Sequence, residues 1–132
     1  MENLIAFQFM GSSLGGMALL MLIQILVADI LAIKAKQIPG TPVEANHSNM
    51  LFRATRTVAN TNESIAIFIL VLIFCMLSEA SPLYTGYLSW GFVLSRIAYA
   101  VCYYLNLKLL RSVVFGISLV LLLALLVVGM TS

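Results

Sequence analysis

The segment Arg53–Phe68 reads RATRTVANTNESIAIF, and it places charged and amide side chains at the entrance of a long apolar stretch. Four of its polar residues are spaced three, four and three positions apart, which puts them on one face of an α-helix. They are Arg53, Arg56, Asn60 and Glu63. Charged side chains within a membrane-spanning helix are costly unless they are paired or bind a ligand. The segment therefore predicts a helix that enters a membrane and carries a binding site.

The composition is that of an integral membrane protein. Of the 132 residues, 62% are hydrophobic and only 9% are charged, whereas soluble domains carry roughly 25% charged residues. The length predicts one compact domain over residues 1–132. The formal net charge of +2 is too small and too scattered to indicate a nucleic-acid partner.

Four mainly apolar segments predict an all-α membrane protein, a four-transmembrane-helix bundle. The second segment is expected to begin after an N-cap at Asn46 or Ser48 and to end at Ser78. The other three are expected at about Leu4–Ile33, Leu83–Leu107 and Arg111–Met130. Each is long enough to cross a hydrocarbon core of about 30 Å.

The distribution of basic residues predicts the orientation of the chain. Basic residues flank the first and third connections, whereas the opposite side carries Glu2 and Glu79 and no lysine or arginine. The basic residues are Lys34, Lys36, Arg53 and Arg56 around the first connection, and Lys108 and Arg111 around the third. The positive-inside rule then places both connections in the cytoplasm and both termini outside it.

Two further polar sets are expected at the same membrane level as the first. Arg96, Tyr99 and Tyr103 share one face of the third helix, and Arg111 and Ser112 begin the fourth. Arginine binds carboxylates in a bidentate geometry, and a glutamate suits an ammonium group. Convergence of the three sets predicts a site for a small zwitterion with more than one carboxylate. A tripeptide thiol such as glutathione fits this description, although charge pattern alone does not select it.

The second-helix spacing resembles a family signature. Arg-x-x-Arg-x-x-x-Asn-x-x-Glu, followed by Phe68, is similar to the motif of the MAPEG family, membrane-associated proteins in eicosanoid and glutathione metabolism. The Arg-x-x-Tyr-x-x-x-Tyr pattern that starts at Arg96 resembles the family's third helix, and the sequence LRS at residues 110–112 resembles the arginine that follows it. The chain departs from the family at Ala66, where proline is usual, and at Ser64, where several members have an aromatic residue.

The resemblance implies a homotrimer of four-helix subunits, similar to a microsomal glutathione transferase of bacterial type in an inner membrane. Glutathione would be the co-substrate, bound between subunits near the cytoplasmic face, and a lipophilic electrophile would arrive from the lipid. The implied activity is that of a transferase or peroxidase. Arg111 would be catalytic, because its charge would favour thiolate over thiol. The implied glutathione-binding residues are Arg56, Asn60, Glu63, Tyr99, Tyr103 and Lys36, with Arg53 and Arg96 in structural or supporting roles. Lys34 is the alternative to Lys36 as the basic residue that reaches the neighbouring subunit's site.

The polar residues of the second helix also have a purely structural interpretation. Arg53 or Arg56 could pair with Glu63 in an ion-pair network that only stabilises the bundle. At the level of the whole chain, the protein could then be a non-catalytic, lipid-binding scaffold of the same fold.

A small four-helix multidrug transporter is a third interpretation. Such transporters use a carboxylate embedded in the first helix, and Asp29 lies too near the cytoplasmic end for that role. No metal site is expected, because Cys75, Cys102 and His47 have no companions at metal-ligand spacing.

Overall fold

The computed structural model describes all 132 residues and contains four α-helices. Helix α1 spans Glu2–Lys34, α2 spans Met50–Leu77, α3 spans Pro82–Tyr104 and α4 spans Lys108–Met130. Short connections join α2 to α3 and α3 to α4, and the longest connection, residues 35–49, joins α1 to α2. The all-helical prediction is confirmed.

The helices pack so that α2 and α3 form the centre of the bundle. Helix α1 contacts α2 and α3, α4 contacts the same two helices, and α1 does not pack against α4. Phe9 lies against Gly86, and Gly16 lies against Trp90, so α1 and α3 run in the same direction. The ends of α1 and α3 and the starts of α2 and α4 therefore meet at one end of the molecule, which we call the basic end.

The core lies between the helices at mid-height. Phe68 of α2 and Phe92 of α3 are fully buried, and their rings stack with centroids 4.5 Å apart. Leu125 of α4 and Met17 of α1 belong to the same buried cluster. A smaller cluster around Tyr99 and other residues of α3 and α4 lies toward the basic end.

The outer faces of α1, α2 and α4 are apolar, and these three helices are long and apolar enough to cross a membrane. Helix α3 is not apolar enough to be counted as a membrane-spanning helix by composition, although the sequence predicts four such helices. Its 23 residues correspond to about 35 Å, so the helix has the required length. Its lower hydropathy follows from buried polar residues that face the other helices, including Thr85, Ser89, Ser95 and Arg96.

Several helix ends differ from the predicted positions. The N-cap of α2 is Asn49, whose side chain accepts a hydrogen bond from the Leu51 amide at 2.9 Å. Asn46 and Ser48 are not caps, because Asn46 Oδ1 accepts from the backbone and hydroxyl of Ser48 and stabilises the preceding turn.

The α3–α4 turn lies three residues earlier than predicted, although it has the predicted length of three residues. Helix α3 ends at Tyr104, because Asn106 adopts a left-handed conformation (φ 59°) and the Leu107 amide donates to the carbonyl of Cys102 at 2.8 Å. Helix α4 consequently begins at Lys108, three residues before Arg111, and Arg111 lies within its first turn.

Candidate functional site

A polar pocket of about 270 Å³ lies toward the basic end, between α2, α3 and α4. Five of its lining residues are candidate site residues: Arg56, Asn60, Tyr99, Tyr103 and Arg111. Ser112 and Phe115 of α4 complete the lining. We call this cavity the arginine pocket. The helical spacing explains its composition, because residues three or four positions apart on each helix project from the same face.

Arg111 is held against the wall of the arginine pocket by an aromatic ring. Its guanidinium carbon lies 4.5 Å from the centroid of the Tyr103 ring, within cation–π distance. Tyr103 is buried, and Tyr99 packs edge-on against it with ring centroids 5.7 Å apart. The two phenols therefore fix the position of the charge without neutralising it.

Arg96 lies behind the arginine pocket rather than in its lining. It is fully buried, and its Nη2 donates hydrogen bonds to Asn60 Oδ1 and, at 3.4 Å, to Thr61 Oγ1. Its guanidinium carbon also lies 4.3 Å from the centroid of the Tyr99 ring. Arg96 thus joins α3 to α2 and orients two residues that line the pocket. Its Nε and Nη1 atoms have no hydrogen-bond partner in the chain.

Arg53 forms hydrogen bonds that connect separate segments of the chain at the basic end. It donates to the His47 carbonyl at 2.7 Å and to the Tyr104 carbonyl at 3.3 Å. Its side chain does not line the arginine pocket. The two bonds connect the α1–α2 connection, the start of α2 and the end of α3.

Sequence reasoning did not single out His47 or Phe115 as members of this region. His47 lies 3.3 Å from the Tyr103 hydroxyl through its Nε2 atom, and the two rings stack with centroids 6.2 Å apart. Phe115 follows Arg111 by one helical turn, so its place in the pocket lining could have been found from spacing. The position of His47 depends on the fold of the α1–α2 connection, for which the sequence carries no comparable signal.

Glu63 and Lys36 are the candidate residues that do not line the arginine pocket. Glu63 is exposed near the middle of α2, and it forms no salt bridge with Arg53 or Arg56. The ion-pair network that the sequence left open is therefore absent from the structure of the chain. Lys36 is exposed after the end of α1 with a left-handed backbone (φ 54°), and no residue of α1 lines the pocket.

The chemistry available in the arginine pocket is that of anion binding. It combines two guanidinium groups, two phenols, an amide and a hydroxyl, and it contains no carboxylate. No group of three or more His, Cys, Asp or Glu side chains could hold a metal ion. Both cysteines are free and buried, and Cys75 donates to the Leu125 carbonyl at 3.2 Å.

Comparison with known proteins identifies the family. The model of the MAPEG family matches residues 10–131, which is nearly the whole chain and includes every residue of the arginine pocket. Among curated proteins, the comparison finds no match. The four helices, three of them apolar enough to span a membrane, agree with this family of membrane proteins. The chain therefore belongs to the MAPEG family, which includes glutathione transferases and peroxidases among other members.

Proposed function

We propose that the protein is a glutathione-dependent membrane transferase or peroxidase that acts on lipophilic electrophiles. The observation that carries this proposal is the arginine pocket, in which Arg56 and Asn60 of α2, Tyr99 and Tyr103 of α3, and Arg111 of α4 line one cavity. These residues come from three separate helices, and a purely structural role would not require them to share a cavity.

In this proposal the charged and amide groups of glutathione are matched by complementary side chains. Arg56 binds a carboxylate of the tripeptide in a bidentate geometry. The Asn60 side chain is oriented by Arg96 through its oxygen, which leaves its amide nitrogen free to donate to a glutathione carbonyl. The phenols of Tyr99 and Tyr103 supply further hydrogen bonds.

Arg111 supports the chemical step by stabilising the glutathione thiolate. In a transferase reaction the thiolate sulfur forms a bond to the electrophilic carbon, and the leaving group departs with its electron pair. In a peroxidase reaction the sulfur attacks one peroxide oxygen, the O–O bond breaks, and the released alkoxide takes up a proton. The resulting sulfenic acid condenses with a second glutathione thiol to give the disulfide and water.

A second subunit would complete the site, and we propose a homotrimer. The pocket of a single subunit, about 270 Å³, lies below the usual range of ligand sites, roughly 300–1,000 Å³. Glu63 is exposed partway along a helix that is apolar enough to span the membrane, and such a carboxylate requires a polar partner there. A neighbouring subunit that contributes Lys36 would extend the pocket, and bound glutathione would supply an ammonium group for Glu63.

The proposed orientation places the basic end in the cytoplasm and both termini on the opposite side of the membrane, which for a bacterial protein is the inner membrane. Lys34, Lys36, Lys108 and the arginines of the pocket all lie at or near this end, in agreement with the positive-inside rule. Glutathione would then enter from the cytoplasm, and the electrophile from the lipid.

Titration calorimetry of the purified protein in detergent tests the proposal. We expect saturable glutathione binding to the wild type, a large loss of affinity in Arg56→Ala, and no change in Lys108→Ala, which removes an exposed charge at the same end. Equal affinity in the wild type and Arg56→Ala would reject the binding site.

The same preparation, assayed with a general aromatic electrophile and with an organic hydroperoxide, separates the transferase from the peroxidase. Tight glutathione binding without turnover of either substrate would instead indicate the non-catalytic scaffold.

A further inference from the structure

A second cavity lies on the side of α3 that faces away from the arginine pocket. It occupies about 260 Å³ between α1 and α3, and we call it the α1–α3 groove. Its lining includes Gly16, Leu20 and Gln24 of α1 and Ile97, Val101 and Tyr104 of α3. The arginine pocket uses Tyr99 and Tyr103 instead, and by helical periodicity these lie on another face of α3 than Ile97 and Val101. The two cavities share no residue.

Two polar side chains of the groove have atoms without a partner. Gln24 is 1% exposed, and its Nε2 atom is buried and unbonded within the subunit. The hydroxyl of Tyr104 is also buried and unbonded. Buried amide and hydroxyl groups are hydrogen-bonded in the great majority of native structures, and leaving one unbonded costs about 1–3 kcal/mol. Both residues line the groove, so a ligand there that accepts hydrogen bonds would satisfy the two groups after a small rotation of each side chain.

The remainder of the groove is apolar and open toward the lipid. Leu19, Ile23 and Val101 line it and are each between 47% and 60% exposed, so a ligand can enter sideways from the bilayer. No charged residue lines the groove, and a carboxylate or phosphate would therefore be buried without a counter-charge. The chemistry favours a neutral oxygen acceptor attached to an apolar chain.

The groove also has a defined polarity along the membrane normal. Tyr104 is the last residue of α3 at the basic end, whereas Gly16 packs against Trp90 deeper in the bundle. A lipid of the leaflet at the basic end has the same polarity, with its oxygen atoms at the interface and its chain toward the bilayer centre. The groove is small, about 260 Å³, so it can hold part of one chain while the rest of the chain extends into the surrounding lipid.

We propose that the α1–α3 groove binds a neutral single-chain lipid whose carbonyl oxygen accepts hydrogen bonds from Gln24 and Tyr104. The occupant lies on the far side of α3 from Arg111, so it is a bound lipid and not the electrophile of the arginine pocket.

Trp90 provides a built-in reporter for this site. It is the only tryptophan of the chain, and a Cβ atom placed on Gly16, which lines the groove, would lie 2.8 Å from its ring. The probe is the methyl ester of a fatty acid brominated along its chain, titrated into the full-length protein in nanodiscs. We expect saturable quenching of Trp90 fluorescence. The unbrominated ester should reverse the quenching, and an alkane of equal length should not.

The Gln24→Leu variant tests the hydrogen bond. We expect binding of the brominated ester to weaken about five- to tenfold, as for the loss of one hydrogen bond. The matched control is Gln8→Leu, the same change at an exposed position of α1 outside the groove, which should leave binding unchanged. Equal affinities in Gln24→Leu and Gln8→Leu, or equal displacement by the alkane, would overturn the proposal.

A blocking variant keeps the test independent of Gln24. Val101→Phe fills the groove from its exposed side, and Val113→Phe makes the same change on the exposed face of α4. We expect Val101→Phe to abolish saturable quenching and Val113→Phe to retain it, with unchanged helical circular dichroism in both. Quenching that persists in Val101→Phe would show that the ester binds elsewhere. Absence of saturable quenching in the wild type would also reject the site, as would be found if a second subunit filled the groove.

Discussion

Arg111 combines a fixed position with an uncompensated charge, which is the combination that thiolate stabilisation requires. Its guanidinium stacks on the Tyr103 ring, and the pocket contains no carboxylate that would pair with it. A positive charge beside a thiol lowers the thiol pKa below the usual value of about 8.5. If the pocket binds glutathione as proposed, more of the bound thiol would then be ionised and nucleophilic at neutral pH.

The first prediction therefore concerns the ionisation of bound glutathione. In Arg111→Ala we expect the pH at which half of the bound thiol is ionised to rise, and kcat/KM at neutral pH to fall about 100-fold. Arg111→Lys should be intermediate, because lysine retains the charge but loses the planar stacking. Ultraviolet thiolate absorbance across a pH titration gives the first quantity, and an electrophile assay gives the second. Lys108→Ala, an exposed position one turn earlier, is the control, and an unchanged titration curve in Arg111→Ala would contradict the assigned role.

Arg96 presents a different case, because its charge is buried and only partly bonded. One of its terminal nitrogens bonds Asn60 and Thr61, while Nε and Nη1 have no partner. Burial of a charge costs free energy that its contacts only partly offset, so an apolar residue of similar length can be tolerated. The benefit of arginine at this position is the orientation of Asn60.

The second prediction separates these two effects at Arg96. We expect Arg96→Met to unfold within about 1 kcal/mol of the wild type, and Arg96→Ala to lose about 2 kcal/mol or more because it leaves a cavity. Both variants should bind glutathione several-fold more weakly, since Asn60 loses its donor. Thermal unfolding in one detergent and calorimetry provide the measurements. A methionine variant as unstable as the alanine variant would mean that the charge itself stabilises the fold.

At the scale of the helices, neighbouring helices approach each other most closely at a few glycines. Gly129 of α4 lies against α2, where an added Cβ would be 2.6 Å from a ring carbon of Phe74. Gly116, on the same helix, has no neighbour within 4 Å of such an atom. Both glycines therefore have the same helical conformation, but only Gly129 is packed against another helix.

The third prediction uses this pair. Gly116→Ala should raise the free energy of unfolding by up to about 1 kcal/mol, because alanine favours the helix. Gly129→Ala should lower it by about 1–3 kcal/mol, because Phe74 must move to accommodate the methyl group. Thermal unfolding followed by circular dichroism measures both, and a Gly129→Ala variant at least as stable as Gly116→Ala would show that α2 and α4 are not packed this closely.

Helix periodicity predicts part of the lining of the arginine pocket but not all of it, since Glu63 shares the polar face of α2 and yet lies outside the pocket. The spacing of four residues places Arg56 with Asn60 on one face of α2, and Tyr99 with Tyr103 on one face of α3. Because α2 and α3 run antiparallel and are joined by a short connection, the two faces meet at the same depth in the membrane. The ends of helices were predicted less well, since they depend on local competition for hydrogen bonds. Asn49 caps α2 because Asn46 is engaged in its own turn.

For the whole molecule, the polar groups that remain exposed on its surface indicate where another molecule would bind. Lipid solvates the apolar outer faces of α1, α2 and α4, but it cannot solvate Glu63. Sequence periodicity placed Glu63 on the polar face of α2, and only the packed structure reveals that this position is exposed at the edge of the bundle. In the homotrimer proposed above, a second copy of the chain would supply a partner for Glu63 and would close the open side of the arginine pocket.

The fourth prediction tests whether one site is shared between two subunits. Homomeric Lys36→Ala and Arg111→Ala proteins should both have low activity, the first because the neighbouring charge is missing and the second because the thiolate is not stabilised. In trimers co-expressed from equal amounts of the two variants, a site formed by Arg111 of one subunit and Lys36 of its neighbour is intact. Random mixing in a cyclic trimer makes about a quarter of the sites intact. We therefore expect turnover of the whole co-expressed preparation, homomeric trimers included, to recover to about that fraction of the wild type, whereas mixing the two homomeric proteins after purification should give no recovery. If co-expressed trimers remain as inactive as the homomers while Lys36→Ala alone is impaired, Lys36 acts within its own subunit, and the site does not cross the interface.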